Sequence, residues 1–255
     1  MKVPSFHWWR TVFFLIPAIG IYTIVLGTVS IASSLFGGRG YFAHRCARAW
    51  SWLILVTTGV RVHVTGLDQL VLGTTYVFVS NHQSIYDIPV LFWSLPYQVR
   101  IIAKQSLGSF PFLGWHLRRT GHLLVNRRNP NRSLILERWR ELVKLGLSLI
   151  IFPEGTRSRD GRVGGFKAGS FLLAIEAGLI VVPLSVVGTR FVMSKGRLTT
   201  SPGSVALTVH RPIETADGSW VPTVDDAKRL AADVHSIIAG LVEAGERTAG
   251  TWPSD

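Results

Sequence analysis

Thr75-Tyr76-Val77-Phe78-Val79-Ser80-Asn81-His82-Gln83-Ser84-Ile85-Tyr86-Asp87 decides the fold. Its first five residues are apolar, β-branched or aromatic and read as a buried strand. The strand stops at Asn-His-Gln-Ser, which delivers polar groups to the rim of a sheet, where open α/β folds bind ligands. His82 is the candidate base, because its ordinary pKa lies near neutrality. Asp87 would hold the ring in one tautomer and stabilise the imidazolium that forms. Five residues along an ideal helix rotate by roughly 140°, so the pair meets only if the chain turns sharply after His82. Asn81 and Ser84 are suitable caps for such a turn. An isolated His-x4-Asp pair is short enough to be loop decoration. Asp87, however, shares the first 136 residues with a single other acid, Asp68, so it is not part of a solvated acidic face.

Short β-rich runs alternate with helix-like segments after Arg61. The strands expected are 61–65, 75–80, 99–103, 121–125, 147–152, 180–187 and 205–209, with helices over 88–95, 131–146 and 166–177 and a terminal helix around Asp225, Asp226 and Arg229. Strands alternating with helices predict an α/β domain with a mixed sheet flanked by helices over 61–255. Three more strands end in polar or bend-forming residues: Gly121-His122-Leu123-Leu124-Val125-Asn126-Arg127-Arg128, Ile151-Phe152-Pro153-Glu154-Gly155-Thr156-Arg157-Ser158 and Val181-Val182-Pro183-Leu184-Ser185. Arg127 and Arg157 would present guanidinium forks suited to phosphate oxygens. Gly155 would let backbone N–H groups approach an anion. Glu154 is expected to organise the site by pairing with a base or a hydroxyl. Taken singly, each arginine is as well explained as a solvated or lipid-facing charge. No acid occurs between Ile88 and Leu136, where Arg100, Lys104, Arg118, Arg119, Arg127, Arg128 and Arg132 lie. Together they favour an anion pocket.

The chain has 255 residues, 47% of them hydrophobic and 16% charged, with 27 basic against 15 acidic side chains. That excess points to an anionic partner: a membrane surface, a phosphate-bearing substrate or nucleic acid. Nucleic acid rests on charge alone, and the apolar amino terminus gives the charge a membrane explanation instead. The lone Cys46 belongs to no metal-ligand cluster. No charge interrupts Thr11 to Gly38, a length sufficient to span a bilayer as a helix. Trp8, Trp9 and Arg10 resemble an interfacial anchor. A second uncharged run, 49–60, is too short to span and suits a helix in the headgroup region. Residues 1–60 are therefore expected to form membrane-associated helices, spanning or dipping into one leaflet.

In order along the chain, Asn81-His82-x4-Asp87, Gly121-x-x-Leu124-Val125-Asn126-Arg127, Phe152-Pro153-Glu154-Gly155-Thr156-Arg157-Ser158 and Val182-Pro183 resemble the four blocks of the glycerolipid acyltransferase family typified by bacterial 1-acylglycerol-3-phosphate acyltransferase. The amino-terminal helices resemble that family's two-helix membrane motif. Leu124 and Asn126 depart mildly from the second block. The resemblance implies transfer of an acyl group from an acyl carrier protein or coenzyme A thioester to the free hydroxyl of lysophosphatidate, giving phosphatidate. It implies that His82 deprotonates the acceptor, that Asp87 orients it, and that Arg127, Glu154, Gly155, Thr156 and Arg157 bind the acceptor, with Lys104 and Lys167 as helpers. It implies no cofactor and no metal, and a place on the cytoplasmic face of the plasma membrane if the chain is bacterial. The same blocks would serve another acceptor, such as a lyso-ornithine lipid. A hydrolase using Ser80 or Ser84 is disfavoured by the lack of a Gly-x-Ser-x-Gly elbow, and a non-catalytic membrane-binding protein is the remaining alternative.

Overall fold

The computed structural model describes residues 5–33, 40–126, 131–215 and 223–249. Seven strands form one sheet: β1 (Val60–Thr65), β2 (Tyr76–Ser80), β3 (Val99–Lys104), β4 (Leu123–Val125), β5 (Ser148–Ile151), β6 (Ile180–Val187) and β7 (Gly203–Val209). Their spatial order is β1-β7-β6-β2-β5-β3-β4. β2 to β6 run parallel, β7 is antiparallel to β6, and β1 runs with β7. The expected mixed sheet is present, and each expected strand is found within two residues of its place.

β2 lies between β5 and β6, and all five of its residues are buried. Tyr76 and Phe78 enter one hydrophobic cluster and Val77 and Val79 the other, as the two-residue period of a strand requires. A strand covered on both faces needs an unbroken apolar run, which is what 75–79 supplies. On the first face lie α3 (Tyr41–Thr58), α4 (Asp87–Ser94) and α5 (Leu113–Arg119). On the second lie α6 (Arg132–Lys144), α7 (Ala168–Glu176) and α9 (Val224–Ala249). α9 turns Ala227, Ala231, Val234, Ile238 and Val242 inward, the spacing of an amphipathic helix on a core. A one-turn helix, α8 (Thr189–Val192), follows β6.

α5 was not expected from the sequence. It has seven residues, includes a glycine, and follows Phe112, whose φ is 58°. Gly114 is required there by packing, because a Cβ would sit 2.3 Å from the Gly108 carbonyl oxygen. Tertiary contact rather than local propensity makes this helix.

At the amino terminus α1 (Phe6–Arg10), a π-helical turn (Thr11–Leu15) and α2 (Ile16–Ser33) form one continuous helix, Phe6–Ser33. At 1.5 Å per residue it is about 42 Å long, enough to cross a bilayer. The second stretch is the helix α3. It begins at Tyr41 and buries Ala43, Cys46, Ile54 and Leu55 against the domain, while Tyr41, Phe42, Trp52 and Val56 stay exposed. The long helix is hydrogen-bonded to the domain along its length. Arg10 Nη2 donates to the carbonyls of Thr58 (3.4 Å) and Thr200 (3.2 Å), Thr11 Oγ1 accepts from Thr200 N–H (3.0 Å), and Trp50 Nε1 donates to Thr23 Oγ1 (3.0 Å).

Beneath α5 is a buried basic cluster. Arg100 is 2% exposed and donates from Nε to Thr120 O (2.6 Å) and from Nη1 to Val99 O (3.0 Å). Burial lowers its pKa to about 10. Burial, and then the Arg100 charge, lowers His116 to about 4 and holds His122 well below the usual imidazole range. Both imidazoles are thus neutral in the folded protein near pH 5 but charged once unfolded. Unfolding takes up protons between about pH 6.5 and 4, so stability should rise with pH across that window and level off above it. We expect His116→Gln to flatten this slope by up to about 1.4 kcal/mol per pH unit. Denaturant melts at several pH values check it, and an unchanged slope would place the acid sensitivity elsewhere.

Candidate active site

Parallel β2 to β6 bring their carboxyl ends to one edge, and the polar strand-end motifs converge there. Residues 81–84 have no regular structure, Ile85 and Tyr86 form a turn, and α4 begins at Asp87. This break allows His82 and Asp87 to meet: Nδ1 and Oδ2 are 2.7 Å apart. The expected caps work differently. Asn81 pairs its side-chain amide with the Val186 backbone, donating to the carbonyl and accepting from the N–H, both at 2.8 Å. It thereby extends the β2–β6 pairing by one more rung. Ser84 Oγ accepts weakly from Tyr86 N–H (3.3 Å) and donates to Met193 O (2.7 Å).

Asp87 is wholly buried. Its Oδ2 also accepts from the N–H groups of Gln83 (2.8 Å) and Ser84 (2.9 Å), and its Oδ1 from the Thr189 hydroxyl (2.5 Å). Every neighbour is a donor, so the carboxylate accepts from Nδ1–H and Nε2 of neutral His82 carries the lone pair. The His82 side chain is 13% exposed, and its ring stacks on Phe152 with centroids 4.2 Å apart.

The loop after β5 clamps His82. Glu154 Oε1 accepts from His82 N–H (2.7 Å) and Oε2 from Gly164 N–H (2.9 Å), while Ser158 N–H donates to His82 O (2.7 Å). Glu154 therefore organises the site through backbone amides, not through a base or hydroxyl as expected. Burial pushes its carboxyl pKa up, partly offset by these two hydrogen bonds. Gly155 is left-handed with φ 72°. Its N–H donates to Phe152 O (3.0 Å), and Gln83 N–H is held by Asp87, so neither amide is open to an anion. Lys167 Nζ lies 2.9 Å from where a Gly155 Cβ would be. Lys195, which the sequence did not single out, donates from Nζ to Thr156 Oγ1 (2.9 Å) and Arg157 O (2.6 Å). Arg157 is half-buried in this loop, and Lys104 is exposed at the end of β3, two strand spacings or about 10 Å from β2. Arg127 lies outside the described residues.

Thr189 was also missed, as was Phe152 as a stacking partner. No local pattern marks Thr189, which follows Gly188 after an apolar strand. The candidate hydrolase nucleophiles are both buried, and Ser80 Oγ donates to Asn81 O (3.0 Å). An almost wholly apolar cavity of about 230 Å³ opens beside Ile85 of the turn and Ile88 of α4. It runs between α2, α3 and α5 past Gly27 to His116 and His122.

A fold with polar strand ends at one sheet edge and a His–Asp pair between them is that of the acyltransferase class, whose family profile matches residues 61–187. A 1-acyl-sn-glycerol-3-phosphate acyltransferase of Limnanthes alba is 31% identical over 201 residues, covering 78% of this chain and 69% of that protein. A chloroplastic 1-acyl-sn-glycerol-3-phosphate acyltransferase of Arabidopsis thaliana is 38% identical over 180 residues, 69% of this chain and 49% of its own length. The crystal structure of the 1-acyl-sn-glycerophosphate acyltransferase PlsC from Thermotoga maritima superposes with a TM-score of 0.73 at 27% identity, covering 92% of this chain and 97% of that one. The chain belongs to the 1-acyl-sn-glycerol-3-phosphate acyltransferase family. It spans about half the length of the chloroplastic relatives it matches, 49% and 58%.

Glu154→Gln would present an amide N–H₂ to one of two backbone donors. We expect about 1–3 kcal/mol of lost stability and faster tryptic cleavage at Arg157, Arg159 and Arg162. An unchanged cleavage rate would mean that Glu154 does not hold this loop.

Proposed function

We propose that the chain transfers an acyl group from a thioester to the sn-2 hydroxyl of 1-acylglycerol-3-phosphate, forming phosphatidate. The observation that carries this reading is the buried Asp87 carboxylate on Nδ1 of His82, which leaves Nε2 as the ring's lone-pair atom. In the proposed step Nε2 takes the acceptor proton while the alkoxide oxygen attacks the thioester carbonyl. The tetrahedral species then expels the thiolate, and the imidazolium returns the proton to sulfur. No acyl-enzyme is needed. The buried, otherwise bonded hydroxyls of Ser80 and Ser84 support that choice over a serine hydrolase.

Arg127, Arg157, Lys104 and Lys167 are proposed as the cations that meet the acceptor phosphate, with Gly155 and Thr156 shaping the loop and Glu154 bracing it. The donor is acyl carrier protein or coenzyme A, and the apolar cavity is proposed to take the acyl chain. No nucleic acid, metal or cofactor enters this reading.

The helix Phe6–Ser33 is proposed to anchor the enzyme on the cytoplasmic face of the membrane. Its apolar window is only 6% buried, and the hydrogen bonds from Arg10, Thr11 and Thr23 to the domain support a permanent helix over a removed leader. Phe14 and Ile24 are 57% and 49% exposed. Changing both to Arg would cost about 2.5–3.5 kcal/mol each within a bilayer and little folding energy. The double variant should move to the soluble fraction with its melting temperature unchanged. Retention in the pellet would put the anchor elsewhere.

The activity test offers purified protein lysophosphatidate and lyso-ornithine lipid side by side with one acyl thioester. We expect turnover of lysophosphatidate, reduced about 10²–10⁴-fold in His82→Ala. Preference for the other lipid would keep the mechanism and overturn the acceptor.

A further inference from the structure

We propose that Thr189 is a positioning residue for the His82–Asp87 pair, holding the carboxylate in the one rotation that aims Oδ2 at Nδ1. The proposal rests on the general-base reading above. Three donors gather on Oδ2: His82 Nδ1–H, Gln83 N–H and Ser84 N–H. Oδ1 is given one, the Thr189 hydroxyl at 2.5 Å. Both residues are wholly buried, so water does not stand in for this donor. The torsion between Cβ and the carboxylate of an aspartate is soft and broad. A hydrogen bond on the outer oxygen is therefore what stops the group from pivoting.

Thr189 is itself held in place from two further elements. Gly188 sits at φ 96°, with the Ser204 carbonyl oxygen of β7 2.6 Å from where a Cβ would be. Its N–H donates to Glu246 Oε1 on α9 (3.2 Å). At the far end of α8, Met193 O accepts from Ser84 Oγ (2.7 Å). The short helix thus grips the catalytic turn at both ends. The other titratable groups that face the pair are Glu154, bound to the His82 backbone, and Glu246, with Arg190 at 3.8 Å.

The test compares wild type, Thr189→Val, Thr189→Ser and Thr189→Cys with His82→Ala, using full-length protein in liposomes with lysophosphatidate and an acyl-coenzyme A. Thr189→Val keeps the volume and removes the donor. It should lower kcat about 10- to 100-fold with both KM values within about twofold, whereas Thr189→Ser should stay within about threefold of wild type. The acid limb of kcat/KM should move to lower pH, because a carboxylate free to pivot off Nδ1 stabilises the imidazolium less. Wild-type kcat and pH profile in Thr189→Val, with His82→Ala inactive, would overturn the proposal. Equal loss in Thr189→Ser would overturn it too, because the side-chain shape rather than the hydroxyl would then matter. Should Thr189→Val fail to fold, Thr189→Cys supplies a weak donor of similar size. A kcat between wild type and His82→Ala supports the proposal, and wild-type kcat overturns it. Full activity in His82→Ala would refute the general-base reading itself, an outcome distinct from these.

Discussion

A carboxylate at zero exposure is costly unless its charge is met, and the site depends on how the cost at Asp87 is offset. No lysine or arginine pairs with it among the described residues; it is surrounded by an imidazole N–H, two backbone amides and a hydroxyl. Each of those donors comes from a segment that must run in one way for the donor to arrive. Gln83 and Ser84 require the chain to leave β2 without forming a helix. Thr189 requires β6 to end at Gly188.

The same economy explains the neighbouring loops. The family resemblance implies that Glu154 binds the acceptor; in the fold both of its oxygens accept from backbone N–H groups, one of them on His82. Phe152 supplies a flat apolar surface for the imidazole, and Ser158 ties down its carbonyl. The Phe-Pro-Glu-Gly-Thr-Arg-Ser block is thus largely a brace that fixes the ring. Two lysines from elsewhere in the chain stand against it, Lys167 beside Gly155 and Lys195 on Thr156 and the Arg157 carbonyl.

The amino-terminal helices are not an appendage in packing terms. Ile54 and Leu55 of α3 share a cluster with Phe78 of the central strand, and the apolar cavity has walls from α2 and α3 on one side and the catalytic turn on the other. An apolar chain seated there would stay out of water, which is worth about 0.8 kcal/mol per buried CH₂.

Local pattern was enough to determine the seven strands, the helices over 88–95, 131–146 and 166–177, and the meeting of His82 with Asp87, because strand period, apolar runs and polar stops are all read within a few residues. It also determined that the uncharged run from Thr11 to Gly38 is long and apolar enough to span a membrane, which the structure places in the helix Phe6–Ser33 as far as its described residues go. What only the tertiary structure decided depends on residues distant in sequence. α5 exists because Gly114 can lie against Gly108. Asn81 serves as an extra rung rather than a cap because Val186 is beside it. Glu154 became a brace because Gly164 and His82 both present N–H groups to it. Thr189, 102 residues from Asp87, carries no local signature at all. A hydrogen bond between strands' ends is set by sheet order, and sheet order is a property of the packed chain, not of any stretch of it.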